Sequence, residues 1–264
     1  ILDVLAYNTY YTAFNTNMVV NELFLDSATL RDNVVSLAKQ LGYTPKSVTA
    51  PKASVSMALT FTGTAPAEVA LKRGSGFVTN YDGSLYRYIL KDDLKVSVAN
   101  NIATFTDVPI YEGSQIVTNI AVDTNSKSQR FIIDNSGVDI NTLSVRVFQA
   151  VNSSIFKDYK QANNILDIGA TDSVYFVNEI EDEKYEIFFG DGVLGKKLED
   201  NNVVEMSYIV TNGTATNGAK TFTFNGLMED ENGTTITLPF SVSSINTTSV
   251  ASGGADIETI DKIK

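Results

Sequence analysis

Apolar side chains first recur at helical spacing. Over residues 1–25, Leu2, Leu5, Ala6, Tyr10, Phe14, Met18, Leu23 and Phe24 spread around most of a helix circumference. Asn8, Thr12, Asn15, Thr16 and Glu22 mark an incomplete polar stripe, broken by Val19. A helix apolar on several sides has to be covered by more than one neighbour. Two readings fit: an internal core helix, or a helix that packs into a bundle with other chains. The candidate interface residues are Leu2, Leu5, Tyr10, Phe14, Met18 and Phe24. A second helix carries Leu30, Val34, Leu37, Ala38 and Leu41. Asp26 or Ser27 is its expected N-cap, Gly42 its C-terminal stop, and Pro45 prevents continuation. Residues 43–53 read as a linker.

The period then changes from helical to alternating. Val55, Met57, Leu59 and Phe61 alternate with Ser54, Ser56, Ala58 and Thr60, a half-buried strand. Val69 with Leu71, Leu94 with Val96 and Val98, and Leu143 with Val145 and Val147 repeat it. Tyr86, Tyr88 and Leu90 alternate with Leu85, Arg87 and Ile89, which suits a strand covered on both sides. Turn signals fall at Asp82-Gly83, Asn100-Asn101, Glu112-Gly113 and Ser136-Gly137. Residues 153–164 read as loop or short helix. Strands are expected at 174–177, 185–189, 203–210, 221–224 and 234–238. The Thr-, Ser- and Gly-rich residues 246–255 read as a flexible connection. Ile257, Ile260 and Ile263 hint at the start of a last helix, with Asp256 near its N-terminus.

The expected class is α+β, mainly β: an N-terminal helical segment, then antiparallel β-sandwich or barrel-like domains, ending at the start of a helix. The linear division is 1–50 as a helical docking segment, 51–125 and 126–250 as two β domains, and 251–264 as a truncated helical region. The sequence leaves open whether 126–250 is an insertion. A first residue already inside an apolar segment, and a last one inside a helix, lead to the expectation of a piece of a longer protein.

Composition narrows the chemistry. The 264 residues include no His and no Cys, and the net charge is −11. Zero His and zero Cys exclude Ser-His and Cys-His nucleophile pairs, disulfides and thiolate metal sites. The acidic balance argues against nucleic acid and against an anionic membrane surface. The run Gly190-Asp191-Gly192-Val193-Leu194-Gly195-Lys196-Lys197 satisfies G-x-x-x-x-G-K and contains a partial dinucleotide fingerprint. A phosphate loop needs Ser or Thr where Lys197 stands, and a helix behind it. A hairpin turn is the better reading. The acidic groups at Glu179, Glu181, Asp182, Glu183 and at Glu229, Asp230, Glu231 lack calcium-loop spacing and read as solvated hairpin tips. Acceptor-like triplets at Asn152, Asn212, Asn232 and Asn246 read as turns. No catalytic, cofactor-binding or metal-ligating residue is assigned, and no cofactor is expected.

Three segments carry a family resemblance. One is residues 2–11 (LDVLAYNTYY) with 21–28 (NELFLDSA). The second is 31–39 (RDNVVSLAK) with 41–47 (LGYTPKS). The third is 185–198 (YEIFFGDGVLGKKL), with Asn212-Gly213 and Asn217-Gly218-Ala219 downstream. In order and spacing they resemble the baseplate wedge subunit of T-even-type contractile-tailed phages, within the wider baseplate-J-like family. The resemblance implies a structural virion protein of the tail baseplate, assembled in the host cytoplasm, and no enzymatic motif. It implies pairing with a second copy, linkage of wedges into a ring around the hub, and N-terminal helices bundled with other wedge subunits. A β-rich receptor- or glycan-binding tail module is the alternative function. A carboxylate-based hydrolase is a third class.

Overall fold

The structure is a computed structural model that describes residues 2–126, 129–162, 167–236, 240–242 and 245–264. It is mainly β, with helices at both ends of the chain. Helix α1 is Leu2–Asn21 and α2 is Arg31–Gln40. Seventeen strands follow among the described residues: β1 (Lys52–Phe61), β2 (Glu68–Leu71), β3 (Gly76–Tyr81), β4 (Ser84–Ile89), β5 (Leu94–Ser97), β6 (Ile102–Glu112), β7 (Ser114–Ala121), β8 (Phe131–Ile133), β9 (Val138–Phe148), β10 (Phe156–Gln161), β11 (Val174–Glu179), β12 (Tyr185–Phe189), β13 (Val203–Val210), β14 (Thr223–Phe224), β15 (Met228–Glu229), β16 (Phe240–Val242) and β17 (Asn246–Ser252). A last helix, α3, is Ile260–Ile263.

Local chemistry accounts for several boundaries. Helix α2 ends in a Schellman arrangement: the amide of Gly42 donates to the Lys39 carbonyl and that of Tyr43 to the Ala38 carbonyl, with Gly42 at φ +80°. Its start is not capped by Asp26 or Ser27. No side chain caps it; the chain folds back after α1 and brings the Glu22 carboxylate over the amides of Thr29 and Leu30, just ahead of the helix. In β1, Val55, Met57, Leu59 and Phe61 all point inward and are buried. Asp82 and Gly83 both have positive φ and close the β3–β4 hairpin, as a tight two-residue turn requires.

The strands form two seven-stranded, barrel-like sheets and a small one. The first sheet has the order β14-β3-β4-β6-β1-β16, with β17 also on β1. The second has the order β7-β13-β9-β10-β11-β12-β8, and the third β15-β2-β5. Among the described residues, all strand pairs are antiparallel except β10 with β11. Phe77, Tyr88 and Phe105 are fully buried in the first core; Val145, Val204 and Met206 are in the second. A third cluster joins Val34, Val35 and Ala38 of α2 to Ile263 of α3.

Several expectations are corrected. Strand β7 belongs to the second sheet, while β14, β16 and β17 return to the first and β15 pairs with β2 in the third. Strand β10 occupies the middle half of the stretch read as loop or short helix, held by β9 on one side and β11 on the other. Residues 163–164 of that stretch lie outside the described residues. The Thr-rich stretch from Asn246 is strand β17, which pairs with β1. Strand β4 is covered on both sides only at its end, since Leu85 and Arg87 are exposed while Tyr88 and Ile89 are buried. Of the strand expected at 234–238, Thr235 makes a bridge to Glu229 and 237–238 lie outside the described residues.

The turn expected at Glu112-Gly113 is the crossing between sheets. Strand β6 ends at Glu112, and one residue later β7 begins in the second sheet. The Glu112 side chain is 1% exposed and accepts hydrogen bonds from Thr211 Oγ1, from the Asn212 amide (2.9 Å) and from Asn212 Nδ2 (2.6 Å). Asp139 of β9 likewise accepts from the Ala50 amide at 2.9 Å, ahead of β1. Gly113 has φ +124°, and a Cβ there would sit 2.2 Å from the Val210 carbonyl oxygen. Gly113→Ala is therefore expected to lower stability by about 3 kcal/mol in equilibrium urea unfolding. Gly42→Ala, with open space around it, should cost only about 1 kcal/mol.

Candidate functional site

Among the described residues, helix α1 is the one long element whose apolar surface the chain leaves bare. None of its residues is buried. The six side chains singled out from the sequence, Leu2, Leu5, Tyr10, Phe14, Met18 and Phe24, are between 51% and 83% exposed. Phe24 lies past the helix end, in the turn toward α2. The reading of this segment as an internal core helix does not hold within the described residues.

Two stripes organise the helix. Val4, Tyr7, Tyr11, Phe14 and Met18 follow a strict 3-4-3-4 spacing. Leu2, Ala6, Thr9, Ala13, Thr16 and Val20 follow 4-3-4-3-4 on roughly the opposite side, about 100° being turned per residue. Such spacings are the seams of helix bundles. One seam is bulky and aromatic, the other small. Val4, Tyr7 and Tyr11 belong to the bulky seam and are absent from the sequence-derived set. Two superposed seams look like apolar residues scattered all round, and only the 3-4 spacing separates them.

The threonines in and beside the small seam are less wet than their names suggest. Thr9, Thr12 and Thr16 donate their hydroxyls back to the carbonyls of Leu5, Asn8 and Thr12 at 2.8–2.9 Å. That leaves their methyl groups outward. The Tyr7 hydroxyl donates to that of Tyr11 at 2.9 Å, with ring centroids 4.6 Å apart. From Val4 to Asn21 the helix carries no charged residue. No helix is long and apolar enough to cross a membrane.

The base of α1 is tied down through α2. Glu22 accepts from the Thr29 amide (2.8 Å), the Thr29 hydroxyl (2.6 Å), the Leu30 amide (3.2 Å) and Asn33 Nδ2 (2.8 Å). Arg31 at the start of α2 reaches the second sheet, where Nε and Nη2 hold the two carboxylate oxygens of Glu179 at 2.7 and 3.1 Å. Its Nη1 donates to the Glu258 carbonyl, just ahead of α3. Burial pushes the Glu179 carboxyl up, and the Arg31 guanidinium pulls it back. Glu179 was expected among solvated tip residues. It is buried instead, while Glu181 and Asp182 are exposed at the β11–β12 tip. A guanidinium 148 residues away gives no local signal in the sequence.

The glycine-rich loop after β12 cannot serve as a phosphate cradle. The amides of Val193 and Leu194 donate to the carboxylate of Asp191 at 2.8 and 3.0 Å. Those of Gly192, Gly195 and Lys196 go to the carbonyls of Gly195, Gly169 and Asp172. Its donors are spent within the protein, and no helix follows. It is not a hairpin turn either, since β12 pairs with β11 and β8 and not with β13. Of the acceptor-like asparagines, Asn152 sits in a turn at φ +63° and Asn232 in the turn after β15, whereas Asn212 is bound to Glu112 and Asn246 begins β17.

Hydrogen bonding lowers the Glu22 carboxyl from its ordinary 4.5 to about 2, led by Asn33 and Thr29. Its folded value lies below its unfolded one. The stabilisation is thus complete above the ordinary value and is lost as pH falls from about 4.5 through about 2. Glu22→Gln should remove this part of the acid dependence. The check is an acid titration of both proteins by circular dichroism, in which the variant's helical signal changes less across that window.

Residues 116–218, from β7 to just past β13, match the family described as bacteriophage baseplate wedge protein gp6, third domain. Baseplate wedge protein gp6 of Enterobacteria phage T4 is 28% identical over 283 aligned residues, which cover 99% of this chain and 41% of that protein. The chain thus spans well under half the length of that relative. With the third-domain match on its second sheet and similarity through nearly all its residues, the chain is similar to the T4 baseplate wedge protein gp6.

Proposed function

We propose that this chain is a structural part of a contractile-tail baseplate and works through surfaces, without catalysis. In this reading residues 1–50 dock into other wedge subunits, and the protein pairs with a second copy to connect wedges into a ring around the hub. Its place is the virion, after assembly in the host cytoplasm. The observation that carries the reading is α1, bare and seamed on two sides. The relative's name as a wedge protein supplies the setting.

Magnitudes favour a bundle over a single contact. Burying one large apolar side chain contributes about 2 kcal/mol, so the five residues of the bulky seam contribute roughly 10 kcal/mol gross. Association costs about 4–15 kcal/mol before any gain appears. One covered seam is therefore marginal, and covering both makes a lasting joint.

Phe14→Glu and Met18→Glu test this. Each places a charge on the bulky seam without touching the sheets. Thermal unfolding of the β part should stay within about 0.5 kcal/mol of the parent, as for other surface changes. Wedge and baseplate assembly, followed by electron microscopy of particles carrying the variants, should fail. Complete baseplates built from either variant would show that α1 is not the docking element.

A further inference from the structure

Four asparagines of the chain stand directly before a glycine: Asn212, Asn217, Asn225 and Asn232. An Asn-Gly pair carries its own chemistry. The glycine amide nitrogen attacks the asparagine side-chain carbonyl carbon, and no Cβ crowds its approach. The reaction needs a side chain free to turn and an amide free of any acceptor. Each hydrogen bond that must break first slows it about tenfold. The four pairs are alike in sequence, and the fold treats them differently.

Asn212 and Asn217 are held at both reacting groups. Asn212 Nδ2 donates to Glu112 at 2.6 Å, and the Gly213 amide donates to the Thr211 hydroxyl at 3.2 Å. Asn217 exchanges hydrogen bonds with Gly254, its Nδ2 donating to the carbonyl at 2.8 Å and its Oδ1 accepting from the amide at 3.0 Å. The Gly218 amide donates to the Ala251 carbonyl at 2.8 Å. At Asn232 the side chain has no hydrogen-bond partner among the described residues, but the Gly233 amide donates to the Asp230 carbonyl at 3.0 Å. Asp230 also binds the Thr234 amide and so closes that turn. Asn225 differs from all three. It is exposed between β14 and β15. Neither its side chain nor the Gly226 amide has a hydrogen-bond partner among the described residues. Its own backbone amide donates to the Gly76 carbonyl at 2.9 Å, so the residue is anchored on one side and free on the reacting side.

We infer that Asn225-Gly226 is the pair at which the folded chain deamidates, with water as the only co-reactant. The Gly226 nitrogen gives its proton to solvent base and bonds to Asn225 Cγ. The Cγ–Nδ2 bond breaks, and the side-chain nitrogen leaves as ammonia. The five-membered succinimide then takes up one water. Opening at one imide bond gives aspartate in a normal backbone. Opening at the other gives isoaspartate, with the backbone routed through the side chain and one methylene longer. Nothing is oxidised or reduced. Arg87 Nε and the Asn225 carbonyl both flank Gly76, each 3.5 Å from where a Cβ on that glycine would sit, so the new carboxylate arises near a guanidinium. The extra methylene falls just past β14, where the Asn225 amide extends the pairing with β3 and Phe224 packs on Phe77 with ring centroids 5.2 Å apart. Conversion thus puts charge and length into the stretch by which the chain returns to the first sheet.

Site-resolved ageing tests it. The full chain is held at physiological temperature and mildly alkaline pH, folded and, in parallel, unfolded in guanidinium chloride. Tryptic peptides 198–220 and 221–262 each hold two of the pairs. Mass spectrometry with electron-transfer fragmentation assigns every converted residue and separates aspartate from isoaspartate. In denaturant all four asparagines should convert at similar rates. In the folded protein Asn225 should keep nearly its denatured rate. Asn232, with one hydrogen bond to break, should be about tenfold slower, and Asn212 and Asn217 about a hundredfold slower or more. Asn225→Gln, which would have to close a larger ring, should abolish the early release of ammonia from the folded chain. Protection of Asn225 as strong as that of Asn212, conversion at Asn232 that outruns Asn225, or early ammonia release that persists in Asn225→Gln overturns the proposal. None of these measurements involves α1 or assembly, so the result stands apart from the proposed docking role.

Discussion

A carboxylate with no cation beside it holds the two large sheets together. Glu112 ends a strand of the first sheet, and every donor it meets belongs to the stretch just after β13 in the second. Desolvating such a group is costly unless its oxygens are fully occupied, so the three donors cannot drift apart without exposing or stranding a charge. Gly113 fixes the same joint sterically, because only a residue without a Cβ passes the Val210 carbonyl. Asp139 repeats the arrangement from the other side, with the Ala50 amide. The sheets are therefore welded where the chain crosses between them, and their relative placement follows from a few buried polar contacts.

The helical segment is fixed to this body by a similar economy. Arg31 binds a buried glutamate in the second sheet and a backbone carbonyl ahead of α3. The small apolar cluster of α2 and α3 fills the space between. Glu22 then sets the angle at which α1 leaves α2. The bare helix thus has a rigid footing, and its two seams face directions set by the β body.

The elements that can be placed from sequence alone are those whose signal is local. Val55 to Phe61 alternates cleanly because one face is core, and Gly42 with Pro45 marks a helix end for stereochemical reasons. Strand β10 escapes because of its residues 156–161 only Tyr159 is buried, so no alternation appears. Strand β17 escapes because its Thr and Ser residues face outward and Ala251 is its one buried side chain. The return of β14, β16 and β17 to the first sheet depends on pairings more than a hundred residues apart, which no periodicity records. Of the proposed docking site, the exposed apolar residues of α1 are legible. Its anchors are not, since Arg31 and Glu179 meet only in the folded chain.

The threonines of α1 have a consequence for how a joint built on it would respond to its surroundings. With their hydroxyls turned back on the helix and no ionised side chain from Val4 to Asn21, this surface offers a solvent ion nothing to screen and a proton nothing to bind. Whatever covers it is held by shape and desolvation alone. A joint of that kind keeps its strength between the crowded, salty interior of a cell and dilute water outside, and loosens chiefly in the cold, where apolar attraction fades.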